Sequence, residues 1–223
     1  KAKHSITDAL NIYLGEGKNI FSKTFWTILN NPLAVFKDNF STVVLESQLE
    51  IVFKDAELKN LIRPCALIAY DTEHQKPKIF NSIDGISPFR NFYIKDVCRA
   101  SSAAPTYFEP AKIKSFAEQE FSCIDGGVFA NNPTFCGFIE SQKINFNKYF
   151  KDDLKFDGTA PLQEFITISI GNGSRAKSYK HNELTGISKS KWVDPLVDIF
   201  ISTGVNMIDM EMKSMYSLLK PKY

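Results

Sequence analysis

The sequence predicts an α/β fold, a sandwich of helices on a sheet, and three observations carry that reading. Residues 64–70 (Pro-Cys-Ala-Leu-Ile-Ala-Tyr) are nearly all apolar, as a strand covered on both faces requires. Residues 164–170 (Glu-Phe-Ile-Thr-Ile-Ser-Ile) alternate apolar and polar groups and form the clearest strand signal in the chain. Between and around these runs lie segments with apolar groups at helical spacing, and strands alternating with helices imply an α/β arrangement. At 223 residues, with 43% hydrophobic and 13% aromatic content, the chain is long enough to bury a substantial core.

The elements follow in order. Ser5 caps a helix carrying Ile6, Ala9, Leu10 and Tyr13, which Gly15 and Gly17 stop. Residues 19–29 read as a second, aromatic-rich helix with Phe21, Phe25 and Trp26, a candidate lid, ended by Asn30-Asn31-Pro32. Val44, Leu45, Leu49 and Val52 give residues 41–53 a helical period. Strand 64–70 is expected to pair with residues 78–82, residues 93–104 to be helical, and residues 121–124 to form a short strand. Asn131, Asn132 and Pro133 punctuate a loop before an apolar stretch at helical spacing, residues 134–146. Residues 174–191 hold Arg175, Lys177, Lys180, Lys189 and Lys191 against Glu183, which suits a solvated loop or a segment meeting anionic lipid head groups. Residues 193–219 form a long amphipathic helix, expected to pack on the sheet, whose Met207, Met210, Met212 and Met215 also suit an adaptable contact surface. No repeat is visible, so residues 1–223 read as one domain, with residues 174–223 a basic loop and closing helix.

Composition narrows the function classes. A net charge of +2, from 27 basic and 25 acidic residues, gives no global field that argues for nucleic acid. Cys65, Cys98, Cys123 and Cys136 are dispersed in apolar contexts, so buried free thiols and no disulfide framework are expected. No run of 18 apolar residues marks a transmembrane helix, and the opening Lys1-Ala2-Lys3-His4 is unlike a signal peptide.

Three segments carry chemistry. Asp125-Gly126-Gly127 places a carboxylate at the end of a strand, with glycines that allow a turn at positive φ and a close approach to the acid. An Asp that merely caps its own turn is the alternative. Residues 98–110 contain Ser101-Ser102-Ala103-Ala104, small residues that let a helix approach another backbone or simply pack closely. Gly171-Asn172-Gly173 ends the strongest strand, where it either cradles a phosphate or reverses the chain. His4, His74 and His181 lie outside these segments and read as surface or capping residues.

In this order and spacing, Arg99 to Pro105, Asp125-Gly126-Gly127 and Gly171-Asn172-Gly173 closely resemble the motifs of the patatin-like phospholipase family, with Asn172 where the family usually has Thr. Tyr70-Asp71-Thr72-Glu73 and Lys78-Ile79-Phe80 resemble its strand, turn and strand pair, and the likeness spans residues 10–175. It implies a three-layer α/β/α sandwich with a mostly parallel central sheet. It also implies hydrolysis of acyl esters in phospholipids or lysophospholipids at a membrane surface, without metal or organic cofactor, by a serine–aspartate dyad. Asp125 is then the catalytic carboxylate, Gly126 and Gly127 form the turn beside it, and Ser101, Ser102, Pro105 and Asn131 pack around the site. A protein activator is a further expected partner.

One departure is severe. The family's nucleophile sits in Gly-x-Ser-x-Gly on a sharp strand-to-helix turn, and that motif is absent, as is the glycine-rich oxyanion loop. Ser101, Ser102 and Ser169 are poor substitutes. The expectation is a carboxy-terminal portion of a longer enzyme, with amino-terminal strands missing, inactive alone and exposing an unpaired apolar sheet edge. The rival readings are a non-catalytic phosphate- or lipid-binding module on the same fold and an interaction domain that has lost its chemistry. Heavy use of Lys, Asn, Ile and Phe resembles a bacterial protein from an AT-rich genome, cytoplasmic or a secreted effector acting at membranes.

Overall fold

The computed structural model describes residues 5–21, 40–148, 162–171, 173 and 177–219. Its helices are α1 (Ile6–Gly15), α2 (Gly17–Ile20), α3 (Thr42–Phe53), α4 (Ile94–Ser101), α5 (Gly127–Ala130), α6 (Thr134–Ser141), α7 (His181–Leu184) and α8 (Val193–Leu219). Its strands are β1 (Ala66–Asp71), β2 (Lys76–Asn81), β3 (Ala111–Lys114) and β4 (Glu120–Asp125). The chain is therefore α/β, and it divides into two compact units, Lys1–Gly126 and Gly127–Tyr223.

In the first unit, local chemistry sets the helix starts. Ser5 Oγ accepts from the Asp8 N–H at 3.1 Å while Asp8 accepts from the Ser5 N–H at 2.7 Å, a reciprocal capping box. Gly15 ends α1 as expected, and Gly17 opens the next helix. The predicted aromatic-rich helix falls mostly outside the described residues, as do Phe25 and Trp26. Ser41 caps α3 by accepting from the Val44 N–H.

The sheet has the order β2-β1-β4-β3, and each of its three pairings is antiparallel. This corrects the expected mostly parallel sheet. The reason lies in the connections: a four-residue turn with Gln75 at φ 53° joins β1 to β2, and a five-residue turn with Glu118 at φ 60° joins β3 to β4. Links this short return the chain antiparallel, whereas a parallel pair needs a crossover of a dozen residues or more. β3 is too short, at four residues, to have announced itself in the sequence.

Helix α4 lies on the sheet. Val97, Ala100 and Ala103 are fully buried with Ala69, Phe80, Phe92, Ala111, Ile113, Phe121 and Cys123 in one apolar cluster. Four of those ten side chains are alanine, so the helix and the sheet approach closely, as the small-residue stretch predicts. A second cluster joins Ile20 of α2, Leu45 of α3 and Phe108, where Phe40 stacks on Tyr107 at 5.8 Å.

In the second unit, α8 spans the predicted amphipathic segment. Residues 165–170, the strongest strand signal, are assigned no regular secondary structure and join no strand among the described residues. Their alternation survives as a difference of environment. Ile166, Ile168 and Ile170 are 90%, 78% and 89% exposed, whereas Phe165 meets Phe138 and Phe146, and Thr167 bonds the Tyr216 hydroxyl. Alternation gives a segment the right two faces, but a strand also needs a partner for its backbone.

Candidate active site

Asp125 is the last residue of β4, an interior strand. On one side it pairs with Ala69 of β1. On the other side β3 pairs no further than Ala111 opposite Cys123, which leaves the Asp125 N–H beyond the end of that ladder. The Ala103 carbonyl fills the gap, accepting from the Asp125 N–H at 2.9 Å. Ala103 is fully buried just past the end of α4. The two motif segments that stand some twenty residues apart in sequence are thus joined by a main-chain hydrogen bond, with Ala69 the register neighbour of Asp125 on the other flank. Its side chain is half-buried.

Of the two roles the sequence suggests for Gly126, positive φ and close approach, the structure keeps the second, with β1 as the approaching group. Its φ is not positive. A Cβ there would lie 2.5 Å from Ile68 Cγ1 and 2.7 Å from the Ile68 carbonyl carbon and oxygen, so glycine is required by the approach of β1. Gly127 is the first residue of α5. The strand-to-turn-to-helix sequence expected around the acid is therefore present.

The remaining site residues divide by unit. Ser101 ends α4 and is half-buried, and Pro105 is exposed. Ser102 Oγ–H donates to the Cys98 carbonyl at 2.7 Å, which commits its proton to the end of its own helix. Asn131 is exposed in the second unit. Beside it Asn132 Oδ1 accepts from the Thr134 N–H at 3.1 Å, and Thr134 Oγ1 is within hydrogen-bond distance of Asn132 Oδ1 and Ser169 Oγ. Ser169 thus lies on an exposed segment without regular secondary structure rather than on a strand-to-helix elbow. Gly173 takes a positive φ of 96°, and Asn172 lies outside the described residues.

Buried charge around the site is structural. Arg99 is only 5% exposed; its Nε donates to Glu46 of α3 at 3.0 Å and its NH2 to the Glu109 carbonyl at 2.8 Å. It ties α3 and the β3 approach to the helix that ends at Ser101. Asp71 is 3% exposed and accepts from the Glu73 and His74 N–H groups and from His74 Nδ1 at 2.8 Å, so His74 is a capping residue of the β1–β2 turn. Burial, with the charge of Asp71 adding to it, pushes the Cys123 thiol up to about 11. Cys123 is the buried cysteine of the four; Cys65 is exposed and Cys98 and Cys136 are half-buried, which corrects the expectation of four buried thiols. Sequence reasoning missed Arg99 as a bracket, although a single arginine in an otherwise small and apolar stretch was the signal that marked it.

Comparison with known proteins gives a consistent result. A family model described as patatin-like phospholipase matches residues 7–135. Patatin-like protein 4 of Arabidopsis thaliana is 26% identical over 230 residues, covering 97% of this chain and 56% of the relative. Patatin-like protein 2 of Oryza sativa subsp. indica is 28% identical, covering 93% of this chain and 55% of the relative. Patatin-like protein 3 of Arabidopsis thaliana is 30% identical, covering 73% and 40%. The chain spans about half the length of the curated relatives it matches. The matched region takes in α4, the Ala103–Asp125 bond and Gly126, and the chain belongs to the patatin-like phospholipase family.

Proposed function

We propose that this chain supplies the aspartate of a lipid acyl hydrolase of the phospholipase A or lysophospholipase type, and that the serine lies upstream in the same protein. The observation that carries the reading is Asp125 itself: a half-buried carboxylate at the end of an interior strand, its main-chain N–H bonded to the Ala103 carbonyl and Ala69 its register neighbour on the other flank. A base works best when its position is fixed before the reaction, because none of the binding energy is then needed to order it.

In the proposed cycle the serine hydroxyl attacks the ester carbonyl while Asp125 takes its proton across roughly 2.6 to 3.2 Å. Asp125 passes that proton to the departing alcohol oxygen as the ester C–O bond breaks; water then attacks the acylated serine, giving its proton to Asp125, which returns it to the serine oxygen as the fatty acid leaves. The oxyanion donors belong to the same upstream part. Loss of one such donor costs about 10²- to 10³-fold in rate, and loss of the nucleophile ends the covalent route, so the isolated chain is expected to be inactive. The substrate class is a phospholipid or lysophospholipid met at a membrane surface, with an activating protein as a possible partner of the whole enzyme. Among the described residues no helix is long and apolar enough to cross a membrane, which suits peripheral contact.

The test is covalent labelling of the product of the complete reading frame by a fluorophosphonate probe. Asp125→Asn is expected to slow labelling by about 10²- to 10⁴-fold, with folding intact by circular dichroism. Absence of labelling in parent and variant alike would replace the hydrolase with the non-catalytic binding module.

A further inference from the structure

Lys78 stands on β2 with its ammonium above the core. Its Nζ is 3.5 Å from the centroid of the Phe121 ring and 5.8 Å from those of Phe80 and Phe92. These rings are 4%, 1% and 1% exposed, so the charge rests on the apolar interior. Aromatic faces attract a cation but accept no ordinary hydrogen bond. Among the described residues no carboxylate lies within ion-pair distance of Lys78.

Lys78 lines a cavity of about 180 Å³, together with Phe80, Asn81, Asp84, Arg90 and Phe92. Arg90 donates from NH1 to Asp84 Oδ2 at 2.7 Å, which neutralises that carboxylate and leaves the other guanidinium donors available. Burial, the largest effect, holds the Lys78 amine below the ordinary lysine range; Cys123 and Asp71 pull it up, and Arg90 pushes it down. Two cations line one cavity, then, and among the described residues the half-buried one has no carboxylate within ion-pair distance, Asp71 acting on it only from further away.

We propose that this cavity binds a small tetrahedral oxyanion of the phosphate class, held by the Lys78 ammonium and the Arg90 guanidinium. A desolvated cation without a partner is where an anion gains most, because the cost of burying the charge is already met by the fold. Lysine offers three compact donors and arginine a planar set, which together suit the corners of a phosphate. The volume corresponds to roughly six water molecules of liquid, enough for a phosphate group with some of its water. It falls short of the roughly 300 Å³ at which pockets begin to enclose larger ligands, so an acyl chain or a nucleoside stays outside.

Lys78 also pairs with Ala69, whose other neighbour is Asp125, so the two charged residues share one row of the sheet two strands apart, about 10 Å. The inference does not rest on the acyl-hydrolase reading, and its test reads binding alone. The phosphate has two sources, a free phosphate ester or a lipid head group.

The experiment uses the full-length protein in phosphate-free buffer. Calorimetric titration with inorganic phosphate is expected to give a Kd of about 0.1 to 1 mM, weakened about tenfold or more by Lys78→Met and several-fold by Arg90→Gln. Co-sedimentation with phosphatidylcholine vesicles, with and without phosphatidic acid, separates the sources. Recruitment by phosphatidic acid that is lost in Lys78→Met assigns the head group; phosphate binding without such recruitment assigns a soluble ester. If Lys78→Met does not fold, reductive ¹³C-methylation replaces it. Phosphate must then shift the dimethyl-Lys78 resonance, identified by its loss in Lys78→Arg. No phosphate binding by the parent, affinity unchanged in both variants, or an unmoved Lys78 resonance overturns the inference.

Discussion

Gly126 illustrates how a residue's role is set by what stands opposite it. The contact that forbids a side chain there is with the backbone of Ile68, in the middle of β1, so the neighbour has little room to yield. Gly126→Ala is expected to destabilise the protein by about 1 to 3 kcal/mol, read as a lower urea midpoint at unchanged m value. Cys123 makes a second prediction at this scale. It is fully buried two residues before the catalytic candidate, and its thiol titrates near 11 when folded, against 9.0 for the ordinary group. Between pH 9 and pH 11 the unfolded chain therefore holds fewer protons than the folded one. Stability should be intact below pH 9 and fall through that window by about 2 to 3 kcal/mol from this group. Urea titrations at pH 8 and pH 11 check it, and Cys123→Ala should flatten the slope. The sequence marked Asp125 and Gly126 as a pair and offered both turn conformation and close approach for the glycine, but a chain read in one dimension does not show which strand lies against it.

At the scale of elements, α4 and β4 form the support of the site. The helix is legible in sequence from its apolar spacing, and its small residues from their composition; that its end replaces a missing stretch of β3 beside Asp125 is not, because this depends on where β3 stops pairing. The polar bracket through Arg99 is of the same kind, since Glu46 lies 53 residues from it along the chain. Helix α8 gives an independent prediction. Gly204 lies in its interior, and a Cβ there would meet nothing within 4 Å. Gly204→Ala should therefore stabilise the protein by about 0.5 to 1 kcal/mol, measured by urea unfolding, through the lower backbone entropy of alanine in the unfolded chain. A loss of stability would show that the glycine serves a contact outside the described residues.

At the scale of the whole molecule, the feature that matters most is the segment at residues 165–170. Three isoleucines at alternate positions, each more than three-quarters exposed, make an apolar strip on a stretch that joins no strand among the described residues, the pattern that templates association between chains. Ile168→Asp should raise the concentration at which the 223-residue chain remains monomeric by light scattering, and a parent that is already monomeric at high concentration would overturn this. The α/β class, most strand and helix positions, the acid at a strand end and the family are legible in the chain alone, because they follow from local periodicity and from contiguous motifs. Only the folded molecule shows that the described sheet is antiparallel, that residues 165–170 join no strand among the described residues, that the Ala103 carbonyl takes the Asp125 N–H, and that Lys78 and Arg90 share a cavity. Each of those depends on which distant segments come together, and that is a property of packing and connection length that no single stretch of residues contains.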